Sequence, residues 1–290
     1  MSRVLPIAVV QDAPRLPTEP LQKFSESVET LVRSFPQTQL LIYPELHLFG
    51  NAPGHAELNA SAESLDGPRI NTLAQLAGDL DVWLVPGSVC ERGPAGQLFN
   101  TAVAFSPQGQ LAASYRKVFP WRPYEPFDPG DRFVTFEMPG IGTAGFSICY
   151  DAWFPEVTRH LAWMGAEVVL NVVKTTTCDR AQEVVVARAN AIVNQVFVVS
   201  VNCAGPTGTG QSVIVDPEGL VRASASGADC TVLTDVLDME HVGRVRKYGT
   251  VGLTRPWSQF QPGDAPLRLP LYGGQITPER WTPERDRLPE

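Results

Sequence analysis

Short apolar runs alternate with longer amphipathic segments over the first third of the chain. The apolar runs are rich in Val, Ile and Leu and too short for helices, which favours β-strands. The longer segments place apolar residues at helical spacing. We predict strands over Val4 to Gln11, Leu40 to Tyr43 and Val82 to Val89, and helices over Thr18 to Phe35 and Pro68 to Gly78. This order predicts a sheet with helices packed on it.

The same alternation returns in the second half of the chain. Before it, the strands Phe99 to Phe105 and Gln110 to Arg116 flank a Ser-Pro-Gln-Gly turn. Further strands are predicted over 132–137, 141–148, 166–173, 196–202, 212–216, 221–224 and 229–236, and helices over 155–164, 179–195 and 241–246. Because the halves repeat each other without a linker, we predict one α/β domain, a four-layer αββα sandwich of two mixed sheets with helices outside. The domain spans residues 1–250, and residues 251–290 form an irregular tail on their own chain or a partner subunit.

Composition narrows the class of protein. The chain has 290 residues, 43% of them hydrophobic, and a net charge of −8, which disfavours nucleic acid and anionic membranes as partners. We expect no signal peptide and no membrane span, because the N-terminus passes directly into a strand and no apolar run is long enough. Five widely spaced cysteines indicate free thiols in a reducing, cytoplasmic compartment. Neither a metal nor a cofactor is expected, because no ligand spacing stands out.

Three side chains that could carry chemistry follow predicted strands directly. Glu45, Lys117 and Cys149 each stand where a strand meets a loop. Cys149 also precedes a helix start at Pro155, and the positive end of a helix favours a thiolate. Together they could supply a base, an electrostatic stabiliser and a nucleophile. Taken singly, each has a simpler interpretation: a solvated loop carboxylate, a surface charge and a small buried hydrophobe.

The segment 117–131 is rich in proline and aromatic residues. Such a sequence forms neither a helix nor a central strand, so we predict a long ordered loop. Long ordered loops in compact domains are often functional. This loop therefore joins the candidate site.

The residues around these three positions resemble a known family. Pro-Glu at 44–45, Tyr-Arg-Lys at 115–117 and Cys-Tyr-Asp at 149–151 are similar to the signature segments of the nitrilase (carbon–nitrogen hydrolase) superfamily. They occur in the family's order, and similarity continues to about residue 240. The resemblance implies the same αββα fold.

The resemblance also implies a role for each matching residue. Cys149 would attack the substrate's carbonyl carbon, with Glu45 as general base. Lys117 and the backbone N–H of Tyr150 would stabilise the oxyanion, and Glu125 would orient substrate and lysine. The implied substrate-binding residues are Tyr124, Trp153 and Thr175.

The resemblance further favours one activity within the superfamily. Ala152 and Trp153 stand where N-carbamoyl amino acid hydrolases carry a carboxylate-binding arginine, and nitrile-cleaving members usually have Trp-Glu after the cysteine. Residues 115–125 are very similar to the matching loop of aliphatic amidases, and Tyr124, Trp153 and Phe127 suit an apolar pocket. We therefore expect an amidase for small neutral amides. An N-carbamoyl amino acid amidohydrolase or an omega-amidase is the alternative.

Two other functional classes compete with this hypothesis. One is a cysteine–histidine hydrolase that uses His47, or that uses Cys178 as its nucleophile. The other is a non-catalytic scaffold that has kept the fold. We also expect a homodimer or higher homo-oligomer, because the helix after Cys149 has apolar residues on more than one face, including Trp163.

Overall fold

The computed structural model of the protein describes residues 3–50, 54–270 and 273–276. Within them the strands are β1 Val4–Gln11, β2 Leu40–Ile42, β3 Trp83–Val85, β4 Ser88–Arg92, β5 Leu98–Phe105, β6 Leu111–Arg116, β7 Thr135–Met138, β8 Gly142–Ile148, β9 Val168–Val173, β10 Phe197–Asn202, β11 Val213–Val215, β12 Val221–Ser224, β13 Thr231–Asp238, β14 Leu267–Leu269 and β15 Gly274–Ile276. The α-helices are α1 Leu21–Ser34, α2 His55–Ala60, α3 Pro68–Asp79, α4 Pro155–Trp163, α5 Arg180–Asn194 and α6 Glu240–Tyr248.

These strands form two large mixed sheets. The first has the order β13-β1-β2-β3-β5-β4, with β6 paired to β5. The second has the order β12-β11-β10-β9-β8-β7. In each sheet the central strands are parallel: β1, β2 and β3 in the first, and β8, β9 and β10 in the second. The predicted mixed α/β architecture is confirmed.

Three hydrophobic clusters define four layers. The largest cluster lies between the sheets, where residues such as Ile42 and Tyr115 of the first sheet meet Phe146 and Leu170 of the second. A second cluster joins the first sheet to α1 and α3, through Phe24 and others. The third joins the second sheet to α4 and α5. Because the central strands β2, β3, β8, β9 and β10 bury both faces, their sequences are largely continuous apolar runs rather than alternating ones.

The strand predicted over 82–89 is in fact two strands, β3 and β4, separated at Gly87. Gly87 has φ +91°, and a Cβ at this position would lie 1.7 Å from the carbonyl oxygen of Pro44. Only glycine lets the chain pass so close to the segment that carries Glu45. Immediately after it, the Ser88 hydroxyl accepts a hydrogen bond from the backbone N–H of Leu46 at 2.9 Å. The break in the strand therefore shapes the chain beside Glu45.

Part of the predicted tail packs on its own chain. Trp257, in a short 3₁₀ turn at Pro256–Ser258, is buried in the cluster that includes Val157 and Leu161 of α4. Its indole N–H donates to the carbonyl of Asn194 at 3.3 Å. Trp163 packs against the same cluster. The tail residues 277–290 lie outside the described residues, and the division of the chain at residue 250 stays a prediction.

Candidate active site

Glu45 lies where the two sheets meet, three residues beyond the end of β2. Its backbone N–H donates to the carbonyl of Val173, the last residue of β9, at 3.3 Å. Its side chain is almost fully buried, and Oε1 accepts hydrogen bonds from Asn100 Nδ2 at 2.8 Å and from Lys117 Nζ at 3.0 Å. The carboxylate is thereby held by two donors on one oxygen.

Lys117 is fully buried and binds two carboxylates. Nζ lies 3.0 Å from Glu45 Oε1 and 2.7 Å from Glu125 Oε1. Burial opposes its charge, but the carboxylates of Glu45 and Glu125 outweigh that effect and raise the pKa of Lys117. Its backbone N–H donates to the carbonyl of Asn100 at 2.9 Å, so the pairing of β5 with β6 continues to the lysine. Lys117 therefore stays an ammonium ion although its side chain is fully buried.

Cys149 directly follows β8 and begins a 3₁₀ turn at Cys149–Trp153, after which Pro155 begins α4 as predicted. Its φ is +45°, a conformation that a side chain other than glycine rarely adopts. The start of a helix was expected to favour the thiolate, but burial and then the charge of Glu45 raise the pKa of the thiol, while Lys117 lowers it. Cys149 therefore needs a base to become a nucleophile.

Glu125 closes the ionic cluster from the proline-rich loop. Its Oε2 accepts a hydrogen bond from the backbone N–H of Trp121 at 3.2 Å, while Oε1 binds Lys117. Burial raises the pKa of Glu125, although the ammonium ion of Lys117 opposes this shift. The loop is thus ordered around the lysine, as the sequence predicted.

Asp151 is a functional candidate that the sequence reasoning left without a role. It is fully buried, and Oδ2 accepts hydrogen bonds from the Tyr115 hydroxyl at 2.8 Å and from the backbone N–H of Ile148 at 3.0 Å. Oδ1 accepts from the backbone N–H of Phe119 at 2.9 Å. Burial raises the pKa of Asp151 to about 6, against the opposing charge of Lys117. Asp151 ties the turn that begins at Cys149 to the loop that follows Lys117.

Asn100 was also missed, although a signal was present. It is an amide within the apolar strand β5, and it is fully buried. A buried polar side chain in a strand requires a partner, and here the partner is the Glu45 carboxylate.

The proposed substrate-binding residues differ in exposure. Thr175 is buried, and its Oγ1 lies 3.9 Å from Cys149 Sγ. Trp153 is partly buried in the turn that begins at Cys149, and the centroid of its ring is 6.4 Å from that of Tyr150. Tyr124 is 64% exposed and packs on Trp121, with ring centroids 4.3 Å apart.

Phe127, predicted for the same pocket, lies elsewhere. It is buried in the cluster between the first sheet and its outer helices. With 5% of its surface exposed, it has little left to offer a substrate. The prediction that Phe127 lines the apolar pocket is therefore wrong.

His47 and Cys178, the alternatives for a cysteine–histidine site, do not join this cluster. The His47 ring is fully buried beside Tyr43 and Phe24, with centroids 5.1 and 5.8 Å away. Burial lowers its pKa to about 4. Cys178 is exposed in the loop before α5. The structure thus argues against a histidine base for this thiol.

Two further features of the structure bear on other classes of function. Among the described residues, no group of three or more His, Cys, Asp or Glu side chains is arranged to hold a metal ion. The helices in that part of the chain are all too short or too polar to cross a bilayer.

The chemistry of the site follows from its charges. A thiol, a paired carboxylate and a buried ammonium ion can together form a thiolate, accept its proton and stabilise a developing oxyanion. Such a combination suits attack on an unactivated carbonyl carbon, because it supplies both the nucleophile and the charge that the intermediate requires.

The sequence is similar to that of known hydrolases. A sequence model of the carbon-nitrogen hydrolase family matches residues 6–247. The formamidase of Pseudomonas syringae pv. tomato is 32% identical over 212 residues, which make up 71% of this chain and 62% of that protein. The chain therefore spans less than two thirds of the length of this relative.

Solved structures show the same likeness. Nit3 of Saccharomyces cerevisiae, a member of branch 10 of the nitrilase superfamily, superposes with a TM-score of 0.77 at 26% identity, over 85% of this chain and 94% of Nit3. A mutant of the amidase from Nesterenkonia sp. AN1, solved in complex with butyramide, gives 0.69 at 26% identity, over 85% and 95% of the two chains. The matched family segment contains every ionic and thiol group described above.

Proposed function

The chain belongs to the carbon–nitrogen hydrolase family, and on that premise we propose that it is an amidase. It hydrolyses small neutral aliphatic carboxamides to a carboxylate and ammonia, through a thioester on Cys149. The observation that carries the proposal is the buried ionic cluster of Lys117, Glu45 and Glu125, whose charges act on the Cys149 thiol.

The first half of the reaction forms the thioester. Glu45 takes the thiol proton as Cys149 Sγ attacks the carbonyl carbon, and the carbonyl π electrons move to oxygen. Both donors to Glu45 bind Oε1, so Oε2 is the oxygen left to receive that proton. The Lys117 ammonium and the Tyr150 N–H stabilise the oxyanion, since N–H groups at the start of a helical turn have no partner within it. Collapse breaks the C–N bond, and Glu45 returns its proton to the departing ammonia.

The second half releases the acid. Glu45 removes a proton from water, the hydroxide attacks the thioester carbon, and the oxyanion forms again beside Lys117. Collapse expels the Cys149 thiolate, which regains a proton from Glu45. Glu125 holds Lys117 in place throughout, through its 2.7 Å contact. A positioned acid–base of this kind contributes ~10²–10⁴-fold to the rate.

A small neutral acyl group is the proposed substrate for two reasons. The chain resembles a formamidase, and the similar Nesterenkonia amidase was solved with butyramide. In addition, Lys174 is occupied by the carbonyl of Gly50, to which Nζ donates at 2.6 Å, and Arg122 is exposed. An N-carbamoyl amino acid would need a buried cation to bind its carboxylate, and neither Lys174 nor Arg122 provides one.

A substrate panel with ammonia detection tests the proposal. Formamide, butyramide, an omega-amide, an N-carbamoyl amino acid and a nitrile should give the largest kcat/KM with one of the short neutral amides. Cys149→Ala should abolish ammonia release with the fold intact, whereas the matched control Cys178→Ala should keep it. A strong preference for the carbamoyl substrate would replace the amidase proposal, and release of no ammonia from any amide would favour the scaffold.

We place the enzyme in the cytoplasm, as an oligomer. All five cysteines are free, which suits a reducing compartment. Val185 and Val193 on α5 and Met164 after α4 are exposed apolar side chains on the outer helix layer, which a second subunit could cover. Light scattering at micromolar concentration tests this, and a mass of one chain that persists on concentration refutes it.

A further inference from the structure

Thr175 is held rigidly beside the nucleophile. It lies two residues beyond the end of β9, and its backbone N–H donates to Asn202 Oδ1 at 2.8 Å. Its carbonyl accepts a hydrogen bond from the Thr209 hydroxyl at 3.0 Å. The side chain is buried, with Oγ1 3.9 Å from Cys149 Sγ. Any substrate attacked by this sulfur therefore comes close to the Thr175 hydroxyl.

The hydrogen of that hydroxyl is already bound. Thr175 Oγ1 lies 2.8 Å from Glu183 Oε1 and 2.7 Å from Glu183 Oε2. Glu183 forms a buried ion pair with Arg180, Nη1 to Oε2 at 3.0 Å. An ionised carboxylate can only accept, so Thr175 must be the donor. Only the lone pairs of Oγ1 remain for a group on the Cys149 side.

The ion pair behind Thr175 is fixed by the second sheet and the loop after it. The Arg180 guanidinium, 1% exposed, donates to the Ser200 hydroxyl at 3.1 Å and to the carbonyls of Gly210 and Gln211 at 3.1 and 3.0 Å. A guanidinium remains charged at any pH at which the protein folds. Glu183 therefore has a fixed counter-ion, and with Glu183 as the acceptor the hydrogen of the Thr175 hydroxyl points towards α5.

We propose that Thr175 accepts a hydrogen bond from the amide N–H of the substrate, and that it thereby selects amides over esters. This deepens the proposed amidase function and rests on it. The carbonyl oxygen of the substrate needs donors, and Thr175 has none left to give. The amide nitrogen carries the donors that this acceptor matches, whereas the alkoxy oxygen of an ester carries none. Arg180 and Glu183 act as positioning residues, because they set the direction of the hydroxyl.

A pair of substrates with the same acyl group tests the inference. Thr175→Val keeps the shape of the side chain and removes the acceptor, so kcat/KM for butyramide should fall by about ten-fold, the value of one net hydrogen bond. Methyl butyrate lacks the N–H, so any loss caused by disturbance of Glu183 should affect both substrates, and the amide-to-ester ratio isolates the specific effect. Thr175→Ser should restore the ratio. The matched control Thr176→Val, one residue along on the exposed part of the loop, should change neither substrate.

The outcomes separate the two proposals. An equal fall for amide and ester in Thr175→Val, or no fall for the amide, overturns the role of Thr175 while the amidase proposal stands. Wild-type protein that releases no ammonia from any amide overturns both. Glu183→Gln provides a second measurement, because its amide group can donate to Oγ1 and free the Thr175 hydrogen. The amide-to-ester ratio should then fall, and an unchanged ratio in a folded variant counts against the inference.

Discussion

Glu45 and His47 are two residues apart on one short turn, and both are buried, yet their surroundings are opposite. Glu45 meets the amide of Asn100 and the ammonium of Lys117 at hydrogen-bond distance. The His47 ring lies among aromatic rings, and its nearest carboxylate oxygen, on Asp12, is 3.8 Å from Nε2. Neither ring nitrogen has a hydrogen-bond partner in the part of the chain that the structure describes.

The difference shows which buried polar group can do chemistry. A charge in a closed site persists only where paired groups replace the water that it loses. The carboxylate beside Lys117 has such partners, and the imidazole does not, so burial lowers the pKa of His47 to about 4. A buried position on the same turn therefore says less about a base than the partners that the fold brings to it.

The largest expected effect comes from replacing each of the two candidate bases, Glu45 and His47, in turn. Glu45→Gln keeps the shape of the side chain but cannot accept a proton, so kcat should fall by at least ~10²-fold. His47→Leu should leave kcat within about three-fold of the wild-type value, because a buried, neutral ring without hydrogen-bond partners among the described residues takes no part in proton transfer. Steady-state kinetics on the best amide measures both, after circular dichroism confirms that each variant folds. If the histidine variant proved the more damaged, the comparison would reverse and a cysteine–histidine mechanism would replace ours.

Removing one partner of Glu45 should have an intermediate effect. Asn100→Ala deletes the 2.8 Å donor and leaves the carboxylate tied only to Lys117. We expect kcat to fall by about ten-fold with KM little changed, since one hydrogen bond that orients the base is lost. Asn59→Ala, on the exposed surface of α2, is the control. A KM effect without a kcat effect would mean that Asn100 contacts substrate instead.

The pH dependence of stability should reveal the buried, neutral state of His47, the second residue of the comparison. The folded-state pKa of His47 is about 4, below its usual 6.5, so between these values the unfolded chain binds a proton that the folded chain refuses. Stability attributable to His47 is therefore complete above pH 6.5 and lost as the pH falls towards 4, by about 3 kcal/mol in all. Asp151, whose folded pKa is raised to about 6, acts in the opposite direction: its contribution is complete below about pH 4 and lost as the pH rises through 6.

Urea unfolding of wild type and His47→Leu at several pH values isolates the histidine. The Asp151 contribution is common to both proteins and cancels in the difference. The variant should gain stability relative to wild type as the pH falls from 6.5 to 4. A difference that stays constant over this range would show that His47 is not the buried neutral group described above.

Local patterns predicted the elements well, because each is encoded within its own segment. The strand β1 has the predicted bounds, and Glu45, Lys117 and Cys149 stand after strands as expected. The helix α2 was missed, since its six residues bury no side chain and show no apolar periodicity.

Partners distant in sequence could not be predicted in this way. Asn100 and Glu45 are 55 residues apart and meet only because β5 and β2 belong to one sheet. The role of Asp151 depends on contacts with two other segments. The burial that raises the pKa of the Cys149 thiol likewise exists only once these segments have assembled. Burial and pairing are properties of the assembled fold, so the sequence pattern alone does not contain them.

The smallest expected effect concerns an exposed aromatic ring rather than a buried one. Tyr124 is 64% exposed and touches Trp121, whereas its neighbour Glu125 is held inside by Lys117. Tyr124→Ala should raise KM for butyramide by roughly five-fold, the worth of one aromatic contact, and leave kcat within about two-fold because Glu125 keeps its partners. Tyr248→Ala, a similarly exposed tyrosine at the end of α6, should change neither constant. A kcat loss of about ten-fold or more in Tyr124→Ala would mean that the exposed part of the loop helps to position Lys117. Tyr124 would then belong with Glu125 among the residues on which the ionic cluster depends.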